Sequence, residues 1–122
     1  MTIAVSIKVH DGVVLAADSA STLFGAHGVT NVYNNANKVF NLYKTLPIGA
    51  ITYGLGGIGN ASISTLMKDL RKRLMGKDTR FDDWKITRDD YSMEEVAQVV
   101  REFFYEELYI PEFQQSKLKP AL

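Results

Sequence analysis

The chain has 122 residues, of which 46% are hydrophobic and 23% are charged, a composition that suits one modest globular domain with an apolar core. Basic and acidic residues number 14 each, so net charge gives no reason to expect a nucleic acid or an anionic membrane as partner. The lack of cysteine excludes disulfides, thiolate metal sites and a catalytic thiol. Residues 1–20 lack the pattern of a signal peptide, no apolar run has the length of a membrane span, and we expect a cytoplasmic protein.

The first part of the chain, residues 2–54, predicts β-hairpins. Apolar residues alternate from Ile3 to Val9, which is the period of a half-buried strand, and an apolar run follows over 13–17. Asp11-Gly12 between them is typical of a hairpin turn. Residues 19–37, rich in Ser, Gly, Ala and Asn, predict a long loop or a loosely paired excursion. A second hairpin is expected to follow.

The second part predicts two amphipathic helices, over about 58–75 and 92–109. For the first, Asn60 is the expected cap, Gly76 the expected end, and Arg73 lies off the apolar stripe. The stripe consists of Ile63, Leu66, Met67, Leu70 and Leu74. The second helix begins at a capping box, Ser92-Met93-Glu94-Glu95, and ends before Pro111; its apolar residues are Val96, Val99, Val100, Phe103 and Leu108. The polar connector between the helices offers three anchors, Phe81, Trp84 and Ile86.

Three side chains in the first part have the chemistry of amide hydrolysis. Removal of Met1 would leave Thr2 with a free α-amine beside its hydroxyl, and such an amine, with a pKa of about 7.7 to 8.0, is a suitable base near neutral pH. Asp18 follows the second strand and Lys38 opens the next strand-like run. Hydroxyl with amine, carboxylate and ammonium are the parts of an N-terminal-nucleophile hydrolase. Taken singly, each residue has a plainer interpretation: a strand threonine, a strand-ending aspartate and a solvated edge lysine.

The order of hairpins and helices, together with these residues, resembles the first half of the proteasome β-subunit and its simpler bacterial ring-protease relatives. The stretch Asp11-Gly12-Val13-Val14-Leu15-Ala16-Ala17-Asp18-Ser19 is the most specific match. The other matching stretches are 2–7, 37–40 and 53–55. The resemblance implies an α+β fold, an antiparallel β-sandwich flanked by helices (αββα), of which only the first half is present. We therefore expect 1–122 to be one domain, cut from a longer protein.

The resemblance also implies roles. Thr2 Oγ would attack the scissile carbonyl, Lys38 would lower the pKa of the Thr2 amine and stabilise charge on Oγ, and Asp18 would orient Lys38. A backbone amide, at Gly54 or, because the glycine cluster is long, at Gly56 or Gly57, would face the oxyanion. The pocket residues would be Ala20 and Phe40.

A threonine endopeptidase of this family acts on polypeptides, forms a homo-oligomeric ring in its full-length form and works with an ATP-dependent unfoldase, without cofactor or metal. Because the family completes its site with groups from its second half, we expect the 122-residue chain to have little or no peptidase activity. A retained Met1 would also abolish catalysis, since it turns the Thr2 amine into an amide.

Strand register offers a test of the catalytic set. A two-residue loop at Asp11-Gly12 would pair Val5 with Asp18 and turn the carboxylate away from the Thr2 face. A three-residue loop with a bulge would pair Ala4 with Asp18 instead. The catalytic hypothesis requires the second register, or a bulge further along.

Two other functions compete. Gly54-Leu55-Gly56-Gly57-Ile58-Gly59 fits the G-x-G-x-x-G fingerprint of dinucleotide-binding proteins, which requires a strand before it and a helix after it. A non-catalytic, ring-forming subunit of the same fold is the other alternative. The histidines, His10 and His27, have no metal-binding spacing.

Overall fold

In the computed structural model, which describes residues 2–25, 28–33 and 36–118, the chain combines small antiparallel sheets with helices. It divides into two compact units, Met1–Gly56 and Gly57–Leu122. The expected mixture of antiparallel strands and helices is confirmed, whereas the layered sandwich remains a proposal. Within the described residues, no helix combines the length and the apolar character needed to cross a membrane.

The described strands pair as four two-stranded antiparallel sheets: β1 with β2, β3 with β4, β5 with β6, and β7 with β8. Their bounds are β1 Ala4–Val9, β2 Gly12–Ala17, β3 Ser21–Gly25, β4 Gly28–Tyr33, β5 Val39–Asn41, β6 Gly49–Ile51, β7 Gly57–Ile58 and β8 Ala61–Ser62. The helices are α1 Ile63–Leu74, α2 Met93–Arg101, a π-helical segment Glu102–Tyr109 and α3 Ile110–Leu118.

The first hairpin turns one residue earlier than predicted. Val9 pairs with Gly12, so the turn residues are His10 and Asp11 rather than Asp11 and Gly12. The Asp-Gly signal is typical of a type I′ turn, which requires positive φ at both central residues. No described non-glycine residue has a positive φ, and neither has Gly12. The turn therefore does not use the conformational freedom on which the prediction relied.

The stretch predicted as a long loop contains a second antiparallel pair. β3 and β4 run from the Ser21–Tyr33 pair to the Gly25–Gly28 pair, with an irregularity in register between Leu23 and Phe24. The Ala36 N–H donates to the Ser19 carbonyl at 2.8 Å and continues the pairing toward the next strand. The loosely paired excursion was thus the better of the two predictions. His27 lies outside the described residues.

The hairpin of β5 and β6, with Lys38 before it, carries the buried residues of the first unit among those whose burial the structure describes. Its register pairs Val39 with Ile51. The pairing continues beyond the strands, where the Thr52 N–H donates to the Lys38 carbonyl at 2.9 Å. Lys38, Phe40 and Leu42 are buried while the residues between them are more exposed, which is the alternation of a strand with one covered face. Lys38 therefore belongs to the buried side of this hairpin.

Helix α1 begins later than predicted and ends as predicted. Ser62, not Asn60, caps it, since the Ser62 hydroxyl accepts from the Thr65 N–H; residues 59 and 60 instead form the turn between β7 and β8. At the other end Gly76 has a φ of +68°, its N–H donates to the Arg73 carbonyl, and the Lys77 N–H donates to the Lys72 carbonyl. This pair of bonds is a Schellman motif, which favours glycine because of the positive φ.

The second helical stretch begins at the predicted capping box and extends past its predicted end. The Ser92 hydroxyl accepts from the Glu95 N–H, and the Glu95 carboxylate accepts from the Ser92 N–H. Helical residues continue through the π-helical segment and α3 to Leu118, so the prediction of an end before Pro111 was wrong. Pro111 is the second residue of α3, which directly follows the π-helical segment, so it lies inside a continuous helical stretch, where its missing N–H removes one backbone hydrogen bond.

The second unit is organised around Arg73, a residue predicted to lie off the apolar stripe but buried to 4% exposure. Its guanidinium carbon lies 4.2 Å from the Phe81 ring centroid and 3.6 Å from that of Trp84. Its nitrogens donate to Asp83 at 3.1 Å and to Glu107 at 2.8 Å. Burial by itself lowers the pKa of Arg73, but the hydrogen bonds that Arg73 donates to Glu107 and Asp83 outweigh it and raise that pKa. The connector and the π-helical segment are thus both bound to α1 through one cation.

Candidate active site

Thr2 and Asp18 are brought together by the first hairpin, although neither lies in a strand. β1 begins at Ala4 and β2 ends at Ala17, and the ladder continues for one more pair, where the Asp18 N–H donates to the Ile3 carbonyl at 3.0 Å. The two site residues therefore flank the open end of the hairpin.

Lys38 reaches this open end from the hairpin of β5 and β6. Its Nζ donates three hydrogen bonds: to Thr2 Oγ1 at 3.1 Å, to Asp18 Oδ1 at 2.7 Å and to the Ala20 carbonyl oxygen at 2.5 Å. The Lys38 side chain is 8% exposed and that of Asp18 is 29% exposed. Three of the four predicted catalytic residues are therefore joined by one buried ammonium group.

The three hydrogen bonds define what each group can do chemically. An ammonium has three protons and no lone pair, so Lys38 acts here as a donor and not as a base. Thr2 Oγ1 accepts from Lys38, which leaves its own proton free to be given to another group. The hydrogen bond from Lys38 holds the pKa of the Asp18 carboxyl below its ordinary value, against a partial desolvation that raises it. Asp18 is consequently an anion at neutral pH and balances the Lys38 charge.

The predicted test of strand register was wrong in its premise. The observed register places Asp18 beyond the Ala4–Ala17 pair and opposite Ile3, which is neither of the two registers considered. By strict alternation, that places Asp18 on the face opposite to Thr2. Lys38 nevertheless donates to both, with its Nζ 3.1 Å from Thr2 Oγ1 and 2.7 Å from Asp18 Oδ1. Lys38, which directly precedes β5, connects the two residues, and the register of β1 and β2 alone does not include it.

The remaining predicted residues are placed differently. Gly54 is not among the three residues that Lys38 contacts by hydrogen bonding; it follows Thr52 by two residues and has a φ of +82°. A Cβ added there would meet nothing within 4 Å, so its backbone is accessible from that side. Ala20 contributes its carbonyl to Lys38, a role that side-chain reasoning had no means of finding, and Phe40 is buried at 8% exposure.

The glycine run does not have the context of a dinucleotide site. Gly57 and Ile58 form β7, residues 59 and 60 turn the chain, and α1 begins only at Ile63 after β8. A Cβ on Gly57 would lie 2.7 Å from the Ala61 carbonyl oxygen, so this glycine is explained by the tight β7–β8 pair. The fingerprint requires its glycines to open a helix. Among the described residues, no group of three or more histidine or acidic side chains is placed to bind a metal ion.

Comparison of the chain with protein-family models, with curated protein sequences and with solved structures finds no match in any of the three. The geometry around Lys38 is therefore the basis on which the function is argued.

Proposed function

We propose that this chain is a threonine-type peptidase of the proteasome β-subunit family, with Thr2 as nucleophile once Met1 has been removed. The observation that supports it is the Lys38 ammonium, which donates at once to Thr2 Oγ1 and to the Asp18 carboxylate. A hydroxyl, a buried cation directed at its oxygen and an acid that orients the cation form a coherent set for acyl transfer.

The proposed reaction follows from the hydrogen bonds. Thr2 Oγ attacks the carbonyl carbon of a peptide while its proton passes to the α-amine of the same residue, directly or through a water. Lys38 cannot take that proton because its three protons are already donated. The protonated amine then gives its proton to the leaving nitrogen, which leaves an ester on Thr2 that water hydrolyses. The backbone N–H of Gly54 is proposed as the oxyanion donor, since glycine allows a close approach of substrate.

The proposal is tested by covalent trapping, because we expect little turnover from the 122-residue chain. A cleavable leader that leaves Thr2 as first residue gives the free amine, and a peptide boronic acid then serves as electrophile. We expect one adduct per chain by intact mass, mapped to Thr2. The matched control is the same chain with Met1 retained, which differs only in the blocked amine and should react far more slowly. Equal reaction of both, or of Thr2→Val, would refute the proposal.

We propose further that the first unit is a part of an antiparallel sandwich flanked by helices, in a protein that forms a homo-oligomeric ring and acts on polypeptides. The support is the apolar surface that β1 and β2 leave exposed, which an isolated hairpin has no reason to carry. Its members, between 43% and 64% exposed, are Ile3, Val5, Ile7, Val9, Val13 and Val14. The same observation favours a second candidate, a non-catalytic ring subunit; association in sedimentation experiments without any trapping at Thr2 would select it.

A further inference from the structure

Leu15 and Gly49 make a steric contact between β2 and β6 that the proposed chemistry does not use. A Cβ built on Gly49 would lie 2.7 Å from Leu15 Cδ1, closer than two carbon atoms can approach. Gly49 has no positive φ, so its backbone conformation is open to alanine. Gly49 and Leu15 are therefore in close contact, and alanine at position 49 would require the end of the Leu15 side chain to move.

The contact between Leu15 and Gly49 lies three residues from the ion pair along each of the two strands. Asp18 follows Leu15 by three residues, and Thr52, whose N–H donates to the Lys38 carbonyl, follows Gly49 by three residues. Three residues of extended chain span about 10 Å. β2 lies against β5 and β6 in the described structure, so the spacing between them at Leu15 and Gly49 is transmitted to the end where Lys38 meets Asp18.

We propose that the packing of Leu15 on Gly49 positions the Asp18 carboxylate against the Lys38 ammonium. Both are positioning residues, since neither contacts Thr2 Oγ1 through a hydrogen bond and neither carries a reactive group. A longer separation of β2 from β6 would stretch the 2.7 Å bond from Lys38 Nζ to Asp18 Oδ1. The inference concerns the assembly of the ion pair, and it holds whether or not the chain hydrolyses peptides.

The test is Gly49→Ala, with the pKa of the Asp18 carboxyl measured by carbon NMR as the readout. We expect the added methyl to displace the Leu15 side chain, shift β2 at its open end, weaken the bond from Lys38, and raise the pKa of Asp18 toward its ordinary value. The matched control is Gly12→Ala in β2, where a Cβ meets nothing within 4 Å and φ is not positive. That control should leave the pKa of Asp18 unchanged.

A compensating change separates positioning from general damage. Leu15→Val removes Cδ1, so the double variant Leu15→Val with Gly49→Ala should return the pKa of Asp18 to near that of the original chain. If Gly49→Ala alone does not fold, recovery of folding together with a lowered pKa of Asp18 in the double variant supports the proposal. An unchanged pKa of Asp18 in folded Gly49→Ala overturns it. So does a double variant that is unfolded or keeps the raised pKa.

Discussion

Lys38 in the first unit and Arg73 in the second are both buried basic residues, with 8% and 4% of their surface exposed. Lys38 is surrounded by oxygen: a hydroxyl, a carboxylate and a carbonyl. Arg73 lies between aromatic rings and has two carboxylates at its edge, while its Nε finds no partner among the described residues. A compact ammonium can be directed at one oxygen, whereas a planar guanidinium stacks on aromatic rings and donates paired hydrogen bonds to carboxylates. The lysine is thus arranged to act on a neighbour and the arginine to hold neighbours together.

The two sites also differ in what removal of the cation leaves behind. The acids bound to Arg73 are well exposed, with 53% of the Asp83 side chain and 41% of the Glu107 side chain open to solvent, so water can replace the arginine at them. The aromatic rings over its face have no such substitute. Around Lys38 the loss falls on Thr2 Oγ1 and on the Asp18 carboxylate, which both lose a charged donor. We therefore expect removal of Lys38 to impair reactivity at Thr2, and removal of Arg73 to impair packing in the second unit.

The largest expected effect is on reactivity. Lys38→Met keeps the length of the side chain and removes the ammonium, so negative charge that develops on Thr2 Oγ is no longer stabilised. By analogy with the loss of one preorganised donor, we expect the rate of adduct formation with a peptide boronic acid to fall by about 10²- to 10³-fold. Arg73→Met, the same substitution at the other buried cation, should leave that rate unchanged. Equal losses in the two variants would show that the Lys38 effect is structural.

The second prediction concerns Arg73 and the stability of the second unit. Arg73→Ala opens a cavity between Phe81 and Trp84 and removes two ring contacts, which should lower the free energy of unfolding of the second unit by about 3 kcal/mol. Arg73→Met fills most of the volume and should cost about half as much. Trp84 is the single tryptophan, so its fluorescence during urea unfolding reports on this site directly. A loss below about 1 kcal/mol in Arg73→Ala would mean that the rings pack without the cation.

The contrast shows which parts of the chain sequence reasoning could reach. Thr2, Asp18 and Lys38 were singled out because Thr2 follows Met1, Asp18 follows a strand-like run and Lys38 opens another, in an order that resembles the proteasome β-subunit. The structure brings Lys38 to both Thr2 and Asp18 although neither register considered for β1 and β2 is the one observed. The hydrogen bond to the Ala20 carbonyl could not be predicted from the sequence, because every residue has a carbonyl and its direction depends on the local backbone.

Arg73 was missed for a different reason. Its spacing from Leu66 and Leu70 places it on the apolar stripe of α1, but its charge was taken as sufficient evidence of exposure. A buried arginine requires acids and rings from elsewhere in the chain, and here they come from the connector and from the π-helical segment. The helix past Pro111 escaped prediction similarly, because proline was treated as a stop, whereas the chain is helical on both sides of it. Local rules fail where distant segments decide the outcome.

The third prediction concerns pH. Because the pKa of Asp18 is lowered in the folded chain, the Lys38 pair contributes stability above the ordinary carboxyl pKa of about 3.9, and this contribution is lost as the pH falls through the lowered value. In Lys38→Met we expect the pKa of Asp18 to rise, by carbon NMR of its carboxyl. Asp78, whose pKa is lowered chiefly by its hydrogen bond from Arg80, is the internal reference and should not change. An Asp18 titration that is identical in both proteins would contradict the hydrogen bond.

The smallest effect tests whether the rings around Arg73 act as partners of its charge or as apolar cover. Phe81 is 41% exposed and its ring centroid lies 4.2 Å from the Arg73 guanidinium carbon. Phe81→Leu keeps much of the apolar area and removes the ring, so we expect a loss of about 0.5 to 1 kcal/mol in the free energy of unfolding. In an Arg73→Met background the same substitution should cost close to nothing, because methionine carries no charge for the ring to attract. A loss of equal size in both backgrounds would assign Phe81 to simple burial, and the distinction between the two buried cations would then rest on Trp84 and the acids.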